Sequence, residues 1–348
     1  MWLYDKEPAP SLFEMYQKQS CQKDRATGKR KSIFYVGTPT AEFRKQYGAE
    51  TRIQLDDAFA ETNEIGEYIV NERSSMKEQA KVIHLDIDPT EIDKNVKTDV
   101  AVLADCKESL PALTKLIRKA DHKEWIDSFK PLWQKETDQV IEPSIHPTEG
   151  PLLMGEVVNA VAEATNGEAV LVNDVGENQM FSARYFKYKR SRSIVTSGGA
   201  GTMGFGLPAA IGTTFGAPDR TICMFSGDGG FQMSIQELGT IMERQAPVKM
   251  IILNNNYLGN VRQWQDLMFN HRRSFTRMLN PRYEDIARGY NIPYDVATER
   301  KDLAAKIDKM LKTDGPFLLE VAVKEDENIQ PMTPPGKSVD EMMLHLDI

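Results

Sequence analysis

Two short segments place oxygen donors at the ends of apolar runs. In the first, Thr221-Ile222-Cys223-Met224-Phe225-Ser226 leads into Gly227-Asp228-Gly229-Gly230, and a helical pattern follows. Glycines at a strand-to-helix turn let backbone N–H groups approach an anion, and a helix N-terminus adds a favourable dipole. The same fragment reads equally well as a tight turn with Asp228 as a helix cap. In the second, Val248 to Leu253 ends in Asn254-Asn255-Asn256. Two neighbouring parallel strands would then present a carboxylate and an amide side by side. A carboxylate, an amide oxygen and a backbone carbonyl are hard ligands. With two phosphate oxygens and a water they complete an octahedral Mg²⁺ site. An acidic side chain beside a phosphate makes physical sense only with a cation between them. The bland alternative for Asn254 to Asn256 is an Asx-rich loop. No GxxxxGK[ST] loop offers a rival phosphate site.

The elements that must position these donors alternate. Strands are predicted over 169–173, 194–197, 221–226, 248–254 and 316–323. Helices are predicted over 151–165, 178–187, 204–215, 231–244, 258–269, 282–290 and 300–312. Such alternation predicts an α/β fold, a doubly wound parallel sheet with helices on both faces and ligands at the carboxyl ends of the strands. Upstream, Lys81 to Asp88 before Pro89 reads as a buried strand ending in a turn, and Val100 to Leu103 as a second strand. Apolar spacing predicts a helix over 107–119. The polar, weakly periodic residues 1–79 show no closed core. The expected organisation is a poorly readable segment (1–79), part of a Rossmann-like middle domain (80–120), a helix and linker (121–149) and a binding domain (150–348).

Composition narrows the classes. The 348 residues are 41% hydrophobic and carry a net charge of −8, so they suit a folded core and give no general case for nucleic-acid binding. No apolar run is long enough to span a bilayer, and MWLYDKEPAP lacks the basic-then-apolar pattern of a secretory leader. Cys21, Cys106 and Cys223 have no metal-site spacing and read as reduced thiols in a cytoplasmic protein.

Gly-Asp-Gly after one strand and Asn-Asn after the next resembles the thiamine diphosphate signature. Ser197 to Gly212, Leu258-Gly259-Asn260-Val261-Arg262-Gln263-Trp264-Gln265 and Pro331 to Glu341 resemble the catalytic subunits of acetolactate synthases. His84-Leu85-Asp86-Ile87-Asp88-Pro89 is similar to the end of that family's middle domain, which sits over a flavin (FAD) that does no redox chemistry in the reaction. The resemblance implies that Asp228, Asn255 and the Tyr257 carbonyl hold Mg²⁺. It implies that Val175, Gly176, Asn178, Gly201, Gly227, Gly229, Gly230 and Leu258 surround the thiamine diphosphate, with Met203 wedged beneath its bent form. Asn260 and Trp264 would line the acceptor pocket. Taken alone, Met203 reads as a gap-filler and Trp264 as core. The implied reaction moves a two-carbon unit from pyruvate, with loss of CO₂, to a second 2-oxo acid in branched-chain amino-acid synthesis. A homodimer or higher oligomer and a regulatory small subunit are the implied partners.

Four departures qualify that pattern. Glu177-Asn178 follows Val175-Gly176 where the family has Gln-His, and a carboxylate beside a diphosphate is unfavourable unless it points away. Asn260 replaces a common Met. Asp24 to Lys29 resembles a flavin-proximal stretch but lies too far before His84, so residues 31–79 look foreign and flavin binding is set against the pattern. No segment reads as the pyrimidine-binding domain, so no catalytic glutamate is assigned. The expectation is cofactor binding without turnover unless a chain carrying that domain docks. The other readings are a non-catalytic fragment and another thiamine diphosphate-dependent 2-oxo acid decarboxylase.

Overall fold

The computed structural model describes residues 82–94, 97–332 and 342–345. Asp24 to Lys29 and most of the Pro331 to Glu341 motif lie outside the described residues. The chain divides into two compact units, one ending at Thr114 and one beginning at Lys115.

In the first unit β1 (Ile83–Asp86) and β2 (Val100–Leu103) pair in parallel, with Ile83 opposite Val100, and α1 (Cys106–Leu116) follows. The Asp88 carboxylate accepts from the Thr90 N–H and hydroxyl, which closes the expected turn after β1.

In the second unit α2 (Lys123–Glu136) continues through a π-helical turn (Thr137–Ile141) into α3 (Glu142–Ile145). Helix therefore extends into the stretch read as a linker. Pro143 does not stop it, because it sits in the first turn of α3, where a missing N–H is tolerated. The alternating elements then follow in order. They are α4 (Met154–Ala164), β3 (Val170–Asn173), α5 (Glu177–Tyr185), β4 (Ile194–Thr196) and α6 (Gly206–Gly216). Next come β5 (Ile222–Gly227), α7 (Asp228–Met233), α8 (Leu238–Arg244), β6 (Val248–Asn254) and α9 (Gly259–Met268). The last are α10 (Tyr283–Gly289), β7 (Tyr294–Ala297), α11 (Arg300–Lys312) and β8 (Phe317–Ala322).

The six strands β3 to β8 form one parallel sheet in the order β4-β3-β5-β6-β8-β7. Side chains alternate between its two faces. Leu171, Phe225, Ile251 and Leu319 pack with Val158 of α4, Phe181 of α5 and Ile307 of α11. Val172, Met224, Met250 and Leu318 pack with Leu207 of α6, Ile241 of α8 and Tyr283 of α10. Both faces are buried, which is why these strands read as continuous apolar runs rather than alternating ones. The predicted doubly wound sheet is what the structure shows.

Two details differ from the sequence reading. The single helix expected over 231–244 is broken: Ser234 leaves the helical region and a 3₁₀ turn (Ile235–Glu237) separates α7 from α8. The edge strand β7 has no predicted counterpart. Its sequence Tyr-Asp-Val-Ala is short and half polar, as befits a strand with one free edge.

Lys249 of β6 is almost fully buried, and its ammonium donates to the carbonyls of Thr313 and Gly315 just past the end of α11. Charge-assisted bonds at a helix C-terminus stabilise by about 1–3 kcal/mol. Lys249→Met keeps the stem and removes the donors, so urea unfolding should show a loss of that size. An unchanged midpoint would place the stabilisation in the stem alone.

Candidate functional site

The chain leaves β3 toward β4 on one side and returns to β5 on the other, which makes the β3–β5 boundary a topological switch point. A cleft opens there, at the carboxyl ends of β3, β5 and β6. The turn after β3 brings Val175, Gly176 and Asn178 to it, and the turn after β5 brings Gly227 to Gly230. The turn after β6 brings Asn255, Tyr257, Leu258 and Asn260, and Met203 enters from the loop before α6. Gly201 is exposed and outside the cleft lining. Trp264 is half-buried one helical turn beyond Asn260 on α9 and does not line the cleft either.

Asp174, which the sequence reading passed over, holds the cleft wall. Its carboxylate is buried and accepts from the backbone N–H groups of Val175 (2.8 Å), Gly204 (3.1 Å) and Gly206 (2.7 Å). It thereby fixes the loop that carries Met203. Gly230 is required by the same carboxylate, because a Cβ there would sit 2.2 Å from Asp174 Oδ1. Asn178 spends its amide N–H groups on the carbonyls of Asp174 (2.9 Å) and Phe225 (3.3 Å), tying the ends of β3 and β5 together. The signal for both was present: an Asp and an Asn flank a Gly directly after an apolar strand.

The expected metal donors meet as the two strand ends predict. Gly227 lies opposite Leu253, so Asp228 and Asn255 emerge from adjacent strands. Asp228 is fully buried. Its Oδ1 accepts from the Gly229 N–H (3.0 Å) and its Oδ2 from Asn280 Nδ2 (2.7 Å). Burial pushes its pKa up to about 6, against the lowering effect of the Asn280 bond. Asn255 Oδ1 accepts from the Tyr257 N–H at 3.1 Å. Asn280 also donates to Asn254 Oδ1 (3.0 Å) and Asn256 Oδ1 (3.3 Å), and accepts from Gln232 at 2.9 Å. No sequence signal marks Asn280, which stands alone between Leu279 and Pro281.

Glu177 resolves its departure by pairing. It begins α5, is almost fully buried and forms an ion pair with Arg262 of α9 at 3.2 Å. Burial pushes its pKa up, and the charge of Arg262 pulls it back down. Arg262 is itself fully buried and also bonds Asp266 (3.1 Å) and the Glu327 carbonyl (2.5 Å). Read in sequence, Arg262 is one of two charges on an amphipathic helix, so its role there is invisible.

The donor set fits Mg²⁺ with a diphosphate. Three hard oxygens converge in a glycine-walled cleft, and the one acid among them is a buried carboxylate held by neutral donors only.

Comparison with known proteins agrees on the domain. Residues 174–321 match the C-terminal TPP binding domain of thiamine pyrophosphate enzymes, and residues 57–113 match their central domain. The second match begins upstream of residue 80, so part of the segment that periodicity left unreadable carries central-domain sequence. The chain is 39% identical over 280 residues to "Acetolactate synthase 1, chloroplastic" of Oryza sativa subsp. japonica, covering 77% of this chain and 43% of the relative. It is 37% identical over 277 residues to "Acetolactate synthase large subunit" of Lactococcus lactis, covering 79% and 47%. It is 35% identical over 315 residues to "Acetolactate synthase isozyme 2 large subunit" of Escherichia coli, covering 88% and 54%. The chain thus spans about half the length of the curated relatives it matches.

The Asp228 shift has a consequence for stability. Its folded pKa of about 6 lies above the ordinary 3.8, so the unfolded state holds fewer protons between those values. Wild-type stability therefore falls as pH rises through that window and stays lower above it, by about 1–3 kcal/mol. Metal-free Asp228→Asn should be more stable than wild type at about pH 7.5, and the gap should close toward about pH 4. Parallel urea titrations in a chelator that gave the two proteins one pH profile would refute the assigned cost.

Proposed function

The chain belongs to the thiamine pyrophosphate enzymes, carrying their C-terminal TPP-binding domain and part of their central domain, and from this we propose that it serves acetolactate synthesis. In this reading Asp228, Asn255 and the Tyr257 carbonyl would hold Mg²⁺, which would offset the charge of the diphosphate. When bound, thiamine diphosphate supplies the carbon nucleophile and electron sink that let a 2-oxo acid lose CO₂. The chain's own residues bind and orient. Gly176, Gly227 and Gly229 leave room at the anionic end, and Met203 and Leu258 form an apolar wall beside it. Asn260 lines the cleft at the start of α9, where an acceptor side chain would be sorted, and Trp264 lies four residues farther along the same helix face, beyond the cleft lining.

The observation that supports this reading best is the convergence of the Asp228 and Asn255 turns on one cleft. Pyruvate and a second 2-oxo acid are the substrates, and the product is a precursor of branched-chain amino acids. The relatives' shared name favours this over another 2-oxo acid decarboxylase. No proton-transfer carboxylate is assigned to this chain. We place that group on a pyrimidine-binding domain contributed by an oligomeric partner. A regulatory small subunit and a cytoplasmic setting, in keeping with the unpaired Cys106 and Cys223, belong to the same reading. Among the described residues no helix is long and apolar enough to cross a membrane.

Calorimetry on the 348-residue chain should show thiamine diphosphate binding that depends on Mg²⁺. Asp228→Ala should abolish it while leaving the circular dichroism spectrum intact. Acetolactate should appear only when a chain carrying the pyrimidine-binding domain is added. Robust product formation by these 348 residues alone would overturn the placement of the missing carboxylate. In the reconstituted assembly, Trp264→Leu should shift the product ratio between pyruvate and 2-oxobutanoate as acceptors. A pocket discriminates one methylene by about 1–3 kcal/mol, so the shift is modest in energy and plain in the ratio. An unaltered ratio would return Trp264 to a packing role.

A further inference from the structure

Asn255 is buried, and the two ends of its amide are chemically opposite. Its Oδ1 accepts from the Tyr257 N–H, while its Nδ2 donates to Glu177 Oε2 at 3.2 Å. Held as a carboxylate by the facing Arg262 guanidinium, Glu177 can only accept, so it dictates which end of the amide faces it. Arg262 can only donate. It meets the other oxygen, Glu177 Oε1, at 3.2 Å and is anchored in turn by Asp266 and the Glu327 carbonyl. Acceptor-only and donor-only groups thus alternate from Arg262 to Asn255, and the amide has one allowed orientation. The sequence leaves room for this contact and no more. A Cβ at Gly259 would lie 1.8 Å from Glu177 Oε2 and 2.8 Å from Asn255 Nδ2.

We propose that Glu177, braced by Arg262, is a positioning residue that turns the Asn255 oxygen toward the Mg²⁺ site. The inference rests on the Mg²⁺–thiamine diphosphate reading above. Outer groups that orient a ligand typically change metal affinity by about 10–100-fold when removed.

Mg²⁺ titration calorimetry at saturating thiamine diphosphate, on the full 348-residue chain, tests it. Glu177→Met fills the same space without an acceptor and should weaken Mg²⁺ by about 10-fold or more. Glu177→Gln offers one oxygen, which the donor-only Arg262 claims, so its N–H₂ faces the Asn255 N–H₂ and Mg²⁺ should weaken here too. Gly259→Ala favours the helix yet pushes the carboxylate away, so it should also weaken Mg²⁺. In a Glu177→Ala background the same Gly259→Ala change should cost nothing further, the non-additivity expected of residues in contact. Unchanged Mg²⁺ affinity in Glu177→Met overturns the proposal, as does wild-type affinity in Glu177→Gln. Should Glu177→Met fail to fold, Gly259→Ala decides, because it retains every polar group, and wild-type affinity there overturns the proposal. A wild-type chain with no Mg²⁺-dependent binding overturns the site reading as well, whereas binding by wild type with indifferent variants sinks only the role of Glu177.

Discussion

The register between β5 and β6 is the constraint on which the site depends. Six consecutive pairs run from Ile222 opposite Val248 to Gly227 opposite Leu253. That alignment ends both strands at one level, so Asp228 and Asn255 leave adjacent strands together. A slip of one residue would turn each side chain to the other face of the sheet. It would move Phe225 and Ile251 out of one packed face and Met224 and Met250 out of the other. The register is therefore enforced by core packing on both sides, and the oxygen donors inherit their placement from apolar residues that touch no ligand.

This dependence explains what was legible. The apolar runs of β3, β5, β6 and β8 and the turn chemistry after them are local features, and each appears in the sequence with its period and its glycines. From these follow the sheet, the cleft and nearly all of its lining. The rest is relational. Asn280 reaches Asp228 across 52 positions, and Arg262 reaches Glu177 across 85. Neither spacing has a period, and neither residue type is unusual where it stands. Gly201 and Trp264 carry the converse lesson, since motif membership fixes neighbourhood but not whether a residue faces the cleft. The break at Ser234 was hidden because the helical residues on its two sides are in phase with one continuous helix.

Two carboxylates line the cleft and a third, Asp174, braces its wall, and each is compensated differently. Asp174 is satisfied by three backbone N–H groups and serves as a brace. Glu177 is faced by a guanidinium that is itself fully buried. Removing either partner of such a pair would leave an uncompensated charge, so the two act as a unit. Asp228 is met by the Asn280 amide and by backbone N–H groups, all of them neutral. Burial raises its pKa, and no cationic side chain opposes the shift. A divalent cation is attracted by a carboxylate that lacks a counter-charge, and less by one already paired with a cation or held by its own backbone. On the Mg²⁺ reading, these acidic groups would still leave one cation position, because the pairing of Glu177 with Arg262 would keep that carboxylate from competing for it.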